Sequence, residues 1–199
     1  MSGPSNEEDD FAVQNTPGYK ITQKKTVDEY AKLDAEDESL ARWKASLGIV
    51  PGAASAENSG QPQVTVHTLE LVSPTLPAGK KLTMNLDDKK PQEKPFTIKE
   101  GIEYNVRITF KVHHGISTGI RYIQVVKRAG ITVDKMSVML GSFNGNPNVV
   151  QTKNFDPEES PSGMLARSGT YHVRSRVVDD DGQVFADWEW SFKLAKDWE

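Results

Sequence analysis

The sequence contains no cysteine among its 199 residues. This absence excludes a disulfide scaffold, a thiolate zinc site and a cysteine nucleophile, and it is typical of compartments where disulfides do not form. The sequence also lacks any run close to the ~18–20 consecutive apolar residues that a membrane-spanning helix needs. We therefore expect a cytosolic protein that does not insert stably into membranes.

An excess of basic residues is absent too. The 24 Lys and Arg residues are outnumbered by 28 Asp and Glu residues, which gives a formal net charge of -4 and argues against nucleic acid as the partner. The acidity is concentrated in residues 1–60, which hold 11 acidic and 6 basic side chains, a net charge of -5. Residues 61–199 hold 17 and 18, a net charge of +1.

Motifs for catalysis are missing. The sequence has no Gly-x-Ser-x-Gly, no phosphate-binding Gly-x-x-x-x-Gly-Lys-Ser/Thr and no His-Glu-x-x-His. His113 and His114 are adjacent at the end of a predicted strand, where neighbouring side chains point to opposite faces and do not easily bind one metal ion. The run Asp179–Gly182 is interpreted as a hairpin turn with a solvated acidic face. We expect no enzyme activity, no metal site and no cofactor.

The first 60 residues form a flexible regulatory arm and linker in our interpretation. The Pro/Gly/Ala/Ser-rich run 51–60 cannot bury enough apolar area to offset its ordering entropy. Two short helices are predicted inside the arm, at about 26–34 and 37–47, and the first begins with the capping box Thr26-Val-Asp-Glu29. Both are shorter than the ~12–15 residues of a marginal isolated helix. We hypothesise that they form on binding a partner; permanent packing on the body is the alternative.

The remaining residues, 61–199, read as one all-β domain. Apolar side chains alternate with polar ones over 104–112 and again over 188–194, which is the period of a strand with one buried and one wet face. Further strands are predicted at 63–73, 81–86, 120–127, 136–143, 148–154 and 170–178. Short strands separated by turn residues favour an immunoglobulin-like β-sandwich, although the immunoglobulin cysteine pair is absent.

Several short motifs, in order along the chain, resemble one family. They are Leu33-Asp-x-x-Asp37-Glu-Ser-Leu40 in the arm and Tyr122-Ile-Gln124, Gly163-Met-Leu-Ala-Arg167 and Trp188-Glu-Trp190 in the body. This set resembles the Rho GDP-dissociation inhibitors from about residue 19 to the C-terminus. Residues 1–18 and 51–62 show no clear resemblance, and Trp43 stands where the family often has Tyr.

The resemblance implies a function and a set of ligand contacts. Members of the family bind geranylgeranylated Rho-family small GTPases in a one-to-one complex, slow GDP dissociation and extract the GTPase from membranes into the cytosol. They hold the prenyl chain inside the immunoglobulin-like sandwich, and we expect this protein to be a monomer when free. By similarity, the prenyl-binding residues would be Leu71, Phe96, Tyr104, Ile116, Leu165, Val173 and Trp190. Each of these residues could also be ordinary core.

The resemblance also implies contacts with the GTPase itself. Tyr19, Asp37, Glu38 and Trp43 in the arm, together with Asp181 in the body, would bind the switch regions. Asp134, Glu158 and Glu159 would face the basic tail that precedes the prenylated cysteine of the GTPase. Asp37 and Glu38 have a second interpretation, since carboxylates at a helix start complement the helix dipole.

Two other functions stay open from the sequence alone. One is a general carrier of prenylated proteins, like the phosphodiesterase delta-subunit type, which shares the sandwich but lacks an arm that engages the GTPase. The other is a non-catalytic structural sandwich, for which a full apolar core without space for a ligand is expected.

Overall fold

Ten β-strands pair into two sheets in the part of the chain that the computed structural model describes, which is residues 9–11, 29, 32–33, 36–46, 63–88, 92, 94–146 and 148–198. The strands, in chain order, are β1 (Val64–Val72), β2 (Leu82–Asn85), β3 (Phe96–Lys99), β4 (Glu103–Val112), β5 (Ile116–Arg128), β6 (Ile131–Asn144), β7 (Gln151–Asn154), β8 (Glu158–Glu159), β9 (Tyr171–Val178) and β10 (Val184–Ala195). Two helices, α1 (Glu38–Ser46) and α2 (Met164–Arg167), and a 3-10 turn at Asp9–Phe11 complete the described elements.

The two sheets face each other as a sandwich. The first sheet has the order β2-β1-β4-β7, with the short β8 also paired to β4, and the second has the order β3-β10-β9-β5-β6. All pairs are antiparallel except β3 with β10, which run parallel. The expected all-β, immunoglobulin-like sandwich is confirmed.

Alternation along β4 explains how the core forms. Val106, Ile108, Phe110 and Val112 are all buried, whereas the residues between them are only half-buried. The opposite wall comes chiefly from β5 and β9, where Ile120, Tyr122 and Val177 have no exposed surface. Since successive strand residues point to opposite faces, the apolar period alone sets which side of each strand lies between the sheets.

The structure adds two strands to the predicted set, and β5, β6 and β10 begin four or five residues before their predicted starts. The sequence analysis missed β3 and β8, because four and two residues are too few to show a period. The second sheet's edge strand β6 begins at Ile131, five residues before its predicted start. Residues 131–135 are all exposed, and the polar pair Asp134-Lys135 interrupts the alternation that Ile131 and Val133 begin.

The hairpin between β9 and β10 is built around the carboxylate of Asp179. Its Oδ1 accepts the backbone N–H groups of Asp181 at 3.0 Å and of Gln183 at 2.8 Å, and Asp179 is only 2% exposed. Gly119 passes close beneath the turn, since a Cβ at this position would lie 1.8 Å from a carboxylate oxygen of Asp180. The run Asp179–Gly182 is thus a hairpin turn, as predicted, but its first carboxylate is buried rather than solvated.

The described parts of the arm include one regular helix. Asp37 begins it: its side-chain Oδ1 accepts the N–H groups of Ser39 at 2.8 Å and Leu40 at 3.1 Å, the usual arrangement of an N-cap. Of the first predicted helix, only Glu29, Lys32 and Leu33 are described, and the Leu33 N–H donates to the Glu29 carbonyl at 3.2 Å. Residues 47–62, which include the Pro/Gly/Ala/Ser-rich run 51–60, lie outside the described residues.

Ser160 fixes the position of β8 beside β4. Its hydroxyl donates to the Lys99 carbonyl at 2.7 Å and accepts the Ile102 N–H at 3.0 Å. The Ser160 backbone N–H also donates to the Ile102 carbonyl at 2.9 Å. With Ser160 only 3% exposed, these bonds replace water and hold the acidic pair Glu158–Glu159 in place.

We predict that Ser160→Ala lowers the free energy of unfolding by about 1–3 kcal/mol, because it leaves a buried N–H and a buried carbonyl short of a partner. Urea denaturation measures the change. The matched control is Ser162→Ala, whose side chain is exposed and whose loss should have little effect. Equal stabilities of the two variants would contradict the role given to Ser160.

Candidate functional site

A cavity of about 580 Å³ opens between the two sheets. Strand residues from both sheets line most of it, and the loop that carries α2 contributes at one end. The lining residues are Leu71, Ile98, Tyr104, Val106, Gln124, Val126, Arg128, Val133, Asp134, Glu158, Glu159, Pro161, Ala166, Tyr171, Trp190 and Phe192. Most of the lining residues are apolar or aromatic. The charged ones are Arg128 from β5, Asp134 from β6 and Glu158 and Glu159 from β8.

Aromatic rings form one continuous wall of the cavity. Tyr171 and Phe192 stack in parallel with ring centres 4.7 Å apart and planes 2° apart, and Trp190 lies 5.9 Å from Phe192. Phe96, on the parallel strand β3, packs edge-on against Trp190 at 6.1 Å. These contacts are the offset and edge-to-face geometries that aromatic pairs prefer, so the wall is rigid without filling the space beside it.

A buried polar network holds Trp190 in its orientation. The Trp190 indole N–H donates to the Ser175 hydroxyl at 3.1 Å, the Tyr122 hydroxyl lies 2.9 Å from the same oxygen, and Tyr122 donates to Gln124 Oε1 at 2.7 Å. Tyr122 and Ser175 have no exposed surface, and burial raises the pKa of Tyr122 above its ordinary value. A satisfied network of this kind specifies a single arrangement of its members.

Three carboxylates are among the residues that line the cavity. Asp134 comes from β6 in the second sheet, and Glu158 and Glu159 from β8 beside the first sheet. The Tyr104 hydroxyl donates to Glu158 Oε2 at 3.0 Å. Burial raises the pKa of Glu158, and the nearby Asp134 raises it further, while the hydrogen bond from Tyr104 acts in the opposite direction. Burial and then Glu158 raise the pKa of Tyr104, so this hydroxyl keeps its proton.

Two arginines attach the α2 loop to the end of the cavity. Arg128, at the end of β5, donates to the Leu165 and Ser168 carbonyls and to the Ser168 hydroxyl at 2.7 Å. The same guanidinium lies 5.3 Å from the centre of the Tyr171 ring. Arg167, within α2, pairs with Glu100 at 2.5 Å, and this bond is the main cause of the lowered pKa of Glu100.

Three of the seven residues predicted to bind a prenyl chain line this cavity and four do not. Leu71, Tyr104 and Trp190 line the cavity. Phe96 contacts Trp190, and Val173 is buried in the same core cluster. Ile116 does not line the cavity. Leu165 is 81% exposed on α2, although the next residue, Ala166, lines the cavity.

The residues predicted to contact a GTPase are dispersed. Glu38 and Trp43 lie on α1 and are exposed, and Asp37 caps that helix. Glu38 pairs with Arg42 one turn later at 3.6 Å. Asp181 lies in the β9–β10 hairpin and Tyr19 lies outside the described residues. The cap role of Asp37 agrees with the second interpretation of this carboxylate and leaves the GTPase contact a prediction.

Sequence reasoning missed much of the lining. Ile98, Tyr171 and Phe192 alternate with polar neighbours as any core residue does, and Val126 follows another apolar residue, Val125. No local signal separates a cavity wall from a packed interior. Pairing of aromatic residues across neighbouring strands was the one usable hint, since Tyr171 is in register with Phe192. Arg128 gave no sequence signal, because its role depends on the fold bringing α2 to the end of β5.

A β-sandwich with an apolar cavity between its sheets and an N-terminal arm is the class of protein that this fold and site define. The family model described as "RHO protein GDP dissociation inhibitor" matches residues 4–197. Relatives named Rho GDP-dissociation inhibitor are 39% identical in Schizosaccharomyces pombe (98% of this chain, 93% of the relative) and 42% identical in Saccharomyces cerevisiae (92% and 93%). Rho GDP-dissociation inhibitor 1 of Bos taurus is 39% identical over 97% of this chain and 91% of its own length.

The chain therefore belongs to the Rho GDP-dissociation inhibitor family, as its sequence motifs indicated. The family is one of regulatory inhibitors rather than of catalysts. Among the described residues, no helix is long and apolar enough to cross a membrane.

We predict that Tyr104→Phe raises the pKa of Glu158 further, because the carboxylate loses the hydrogen bond that favours its charged form. The measurement is an NMR titration of the glutamate carboxyl carbons. Tyr171→Phe is the matched control: this hydroxyl lines the same cavity but donates to the Ala166 carbonyl at 2.9 Å, so the pKa of Glu158 should not change. An unaltered titration of Glu158 in Tyr104→Phe would contradict the prediction.

Proposed function

We propose that the protein inhibits GDP dissociation from geranylgeranylated Rho-family small GTPases, and that its body and its arm divide the work. The cavity between the sheets holds the geranylgeranyl chain, and the arm contacts the switch regions of the GTPase. The observation that carries this proposal is the family match over residues 4–197, because it includes both the arm and the body.

The size and chemistry of the cavity support the first half of the proposal. Its volume of about 580 Å³ falls within the roughly 300–1,000 Å³ of small-molecule sites. Leaving a C20 chain in water costs about 0.8 kcal/mol for each CH₂ group, so a carrier needs an apolar slot that replaces the bilayer. The aromatic wall of Tyr171, Trp190 and Phe192 supplies such a surface.

The acidic residues of the cavity suit the basic segment of the proposed ligand. Asp134, Glu158 and Glu159 all line the cavity, and Asp134 lies near enough to Glu158 to raise its pKa. A basic segment preceding a prenylated cysteine would meet them as the chain enters. Charges at the rim of an interface mainly affect the association rate and its salt dependence, so these carboxylates would guide the GTPase tail rather than anchor it.

Extraction from a membrane then takes two steps in this proposal. The arm first captures the GTPase at the bilayer surface, and the prenyl chain next moves into the cavity at a small net cost because one apolar environment replaces another. The product is a one-to-one complex in the cytosol. The free protein is a monomer that touches the membrane only transiently.

Two other functions are less well supported. A general prenyl carrier needs no arm, whereas the family match here begins at residue 4. A purely structural sandwich would have a filled core, which disagrees with a cavity of about 580 Å³ between the sheets.

We predict that Val126→Phe weakens binding of a geranylgeranylated GTPase by at least about tenfold, which corresponds to about 1.4 kcal/mol, because the larger ring occupies the cavity. Val126 is 5% exposed and lines the cavity, so overpacking can also cost about 1–3 kcal/mol of stability. The binding assay is therefore paired with a melting curve. The control is Val150→Phe, at a position that is 52% exposed and does not line the cavity. Equal affinities of the two folded variants for the prenylated GTPase would rule out the cavity as the prenyl site.

A pair of substitutions at Asp37 separates its two roles. Asp37→Asn keeps a helix N-cap but removes the charge, whereas Asp37→Ala removes both, at a cost of about 0.5–2 kcal/mol for the helix. We expect the GTPase to release fluorescent GDP severalfold faster in the presence of either variant than in the presence of the parent chain. The melting temperature should change little. Full inhibition by Asp37→Asn would mean that Asp37 acts only as the cap.

A further inference from the structure

The outer face of the second sheet, on the side away from the cavity, carries an apolar patch. Ile123 and Val125 of β5 point to this face because Tyr122, Gln124 and Val126 point inward, and Val178 of β9 joins them. Together with Phe11 these residues form a buried cluster that is separate from the core between the sheets. Without a cover, three large aliphatic side chains would form a contiguous exposed patch, which usually marks an interaction site.

The cover comes from the arm. The ring of Phe11, in the 3-10 turn Asp9–Phe11, is only 6% exposed. The guanidinium groups of Arg176 and Arg174 lie 4.4 and 5.6 Å from its centre, within the range of a cation–π contact. Phe11 is therefore held by apolar contacts from the sheet and by two cations at its ring.

Asp187 positions both arginines. Its Oδ2 accepts from Arg174 Nη2 and from Arg176 Nε, each at 2.8 Å, and its Oδ1 accepts from Arg174 Nε at 2.9 Å. Burial acts to raise the pKa of Asp187, but the bonds from the two arginines outweigh it and lower this pKa. Asp187 thus fixes the orientation of two guanidinium groups on the outer face of the second sheet, next to the Phe11 ring.

The surface next to Phe11 suits an acidic segment. A second cavity, of about 260 Å³, lies beside the ring, and its polar lining residues are Lys127, His172, Arg174 and one carboxylate, Glu189. With Arg176 beside the ring and Asp187 bound to both arginines, the cations Lys127, Arg174 and Arg176 still outnumber the two carboxylates. The sequence immediately before Phe11 is Glu7-Glu8-Asp9-Asp10. An acidic run ending in an aromatic residue thus matches a basic surface with an aromatic site in its middle.

We propose that this outer face is a docking site for the acidic and aromatic start of the chain's own arm, with Phe11 as the anchor. Docking joins the arm to the body at a second point, Phe11, in addition to the chain connection at the start of β1. The predicted switch-contact residues Tyr19, Asp37 and Trp43 all lie between these two points in the sequence.

The test uses the full-length chain and a labelled peptide with the sequence of residues 5–15. In NMR spectra, the methyl groups of Ile123, Val125 and Val178 should show ring-current shifts in the parent chain, and Phe11→Ala should abolish them. The peptide should bind the Phe11→Ala chain in a fluorescence anisotropy assay, and it should bind the parent chain at least tenfold more weakly because the arm already occupies the site. A peptide in which Ala replaces the Phe is the matched control and should not bind either chain.

Two results would overturn the proposal. One is the same methyl shifts in the parent and Phe11→Ala chains. The other is a peptide affinity that does not differ between the two chains, whether both bind or neither does. Phe11 lies outside the sandwich, so the variant does not remove any residue of the core between the sheets. None of the measurements uses a GTPase, so failure here and failure of the proposed function are distinguishable.

Discussion

The distance between the two sheets is the constraint on which the rest of the structure depends. Where the strands carry aliphatic residues of matched size, as at Ile108, Ile120 and Val177, the sheets close and these side chains have no exposed surface. Toward the β5–β6 hairpin the facing positions carry rings, and Tyr171 and Phe192 stack on each other within the second sheet instead of interdigitating with the first. The rings therefore cover their own sheet, and the space in front of them becomes the cavity. The core and the cavity wall are formed by the same faces of the strands. The size and shape of the side chains decide whether a position is packed or borders the cavity.

Buried polar groups keep the cavity in one shape. A slot lined only by aliphatic residues could collapse, since dispersion and water exclusion both favour contact across it. Here Ser175 accepts the indole N–H of Trp190 and also contacts the hydroxyl of Tyr122. Rotating Trp190 into the cavity would leave its N–H without a partner in a buried site, at a cost of about 1–3 kcal/mol. The hydrogen bond between Trp190 and Ser175 therefore keeps the cavity open by fixing the orientation of the Trp190 ring.

Features that follow from the local alternation of apolar and polar residues could be predicted from the sequence. Features that depend on contacts between distant elements could not. Alternation over 104–112 places Val106, Ile108 and Phe110 inside, as observed, and it follows directly from strand geometry. The position of Leu165 could not be obtained in this way, because α2 is four residues long and is held by Arg128 from another strand. Tyr171 and Phe192 were missed because a strand pattern shows the buried face but not the width of the gap that it faces. Phe11 was missed for a different reason: one aromatic residue in an acidic run has no period, and its site is assembled from β5, β9 and β10.

Two carboxylates of this protein, Asp187 and Glu158, contribute to stability with opposite dependence on pH. The pKa of Asp187 is lowered by Arg174 and Arg176, so its contribution to stability is present above the unfolded-state pKa and is lost as pH falls through the lower folded-state value. Glu158 has a raised pKa; its contribution is present below the unfolded-state pKa and is lost as pH rises through the folded-state value. Ionisation of Glu158 therefore costs stability, since this carboxylate lies close to Asp134 and, within the part of the chain that the structure describes, has no paired cations like those of Asp187. In the proposed function, a lysine or arginine of the GTPase tail placed beside Glu158 would offset that cost. The carboxylates and the apolar cavity would then complement the basic segment and the prenyl chain of one and the same ligand.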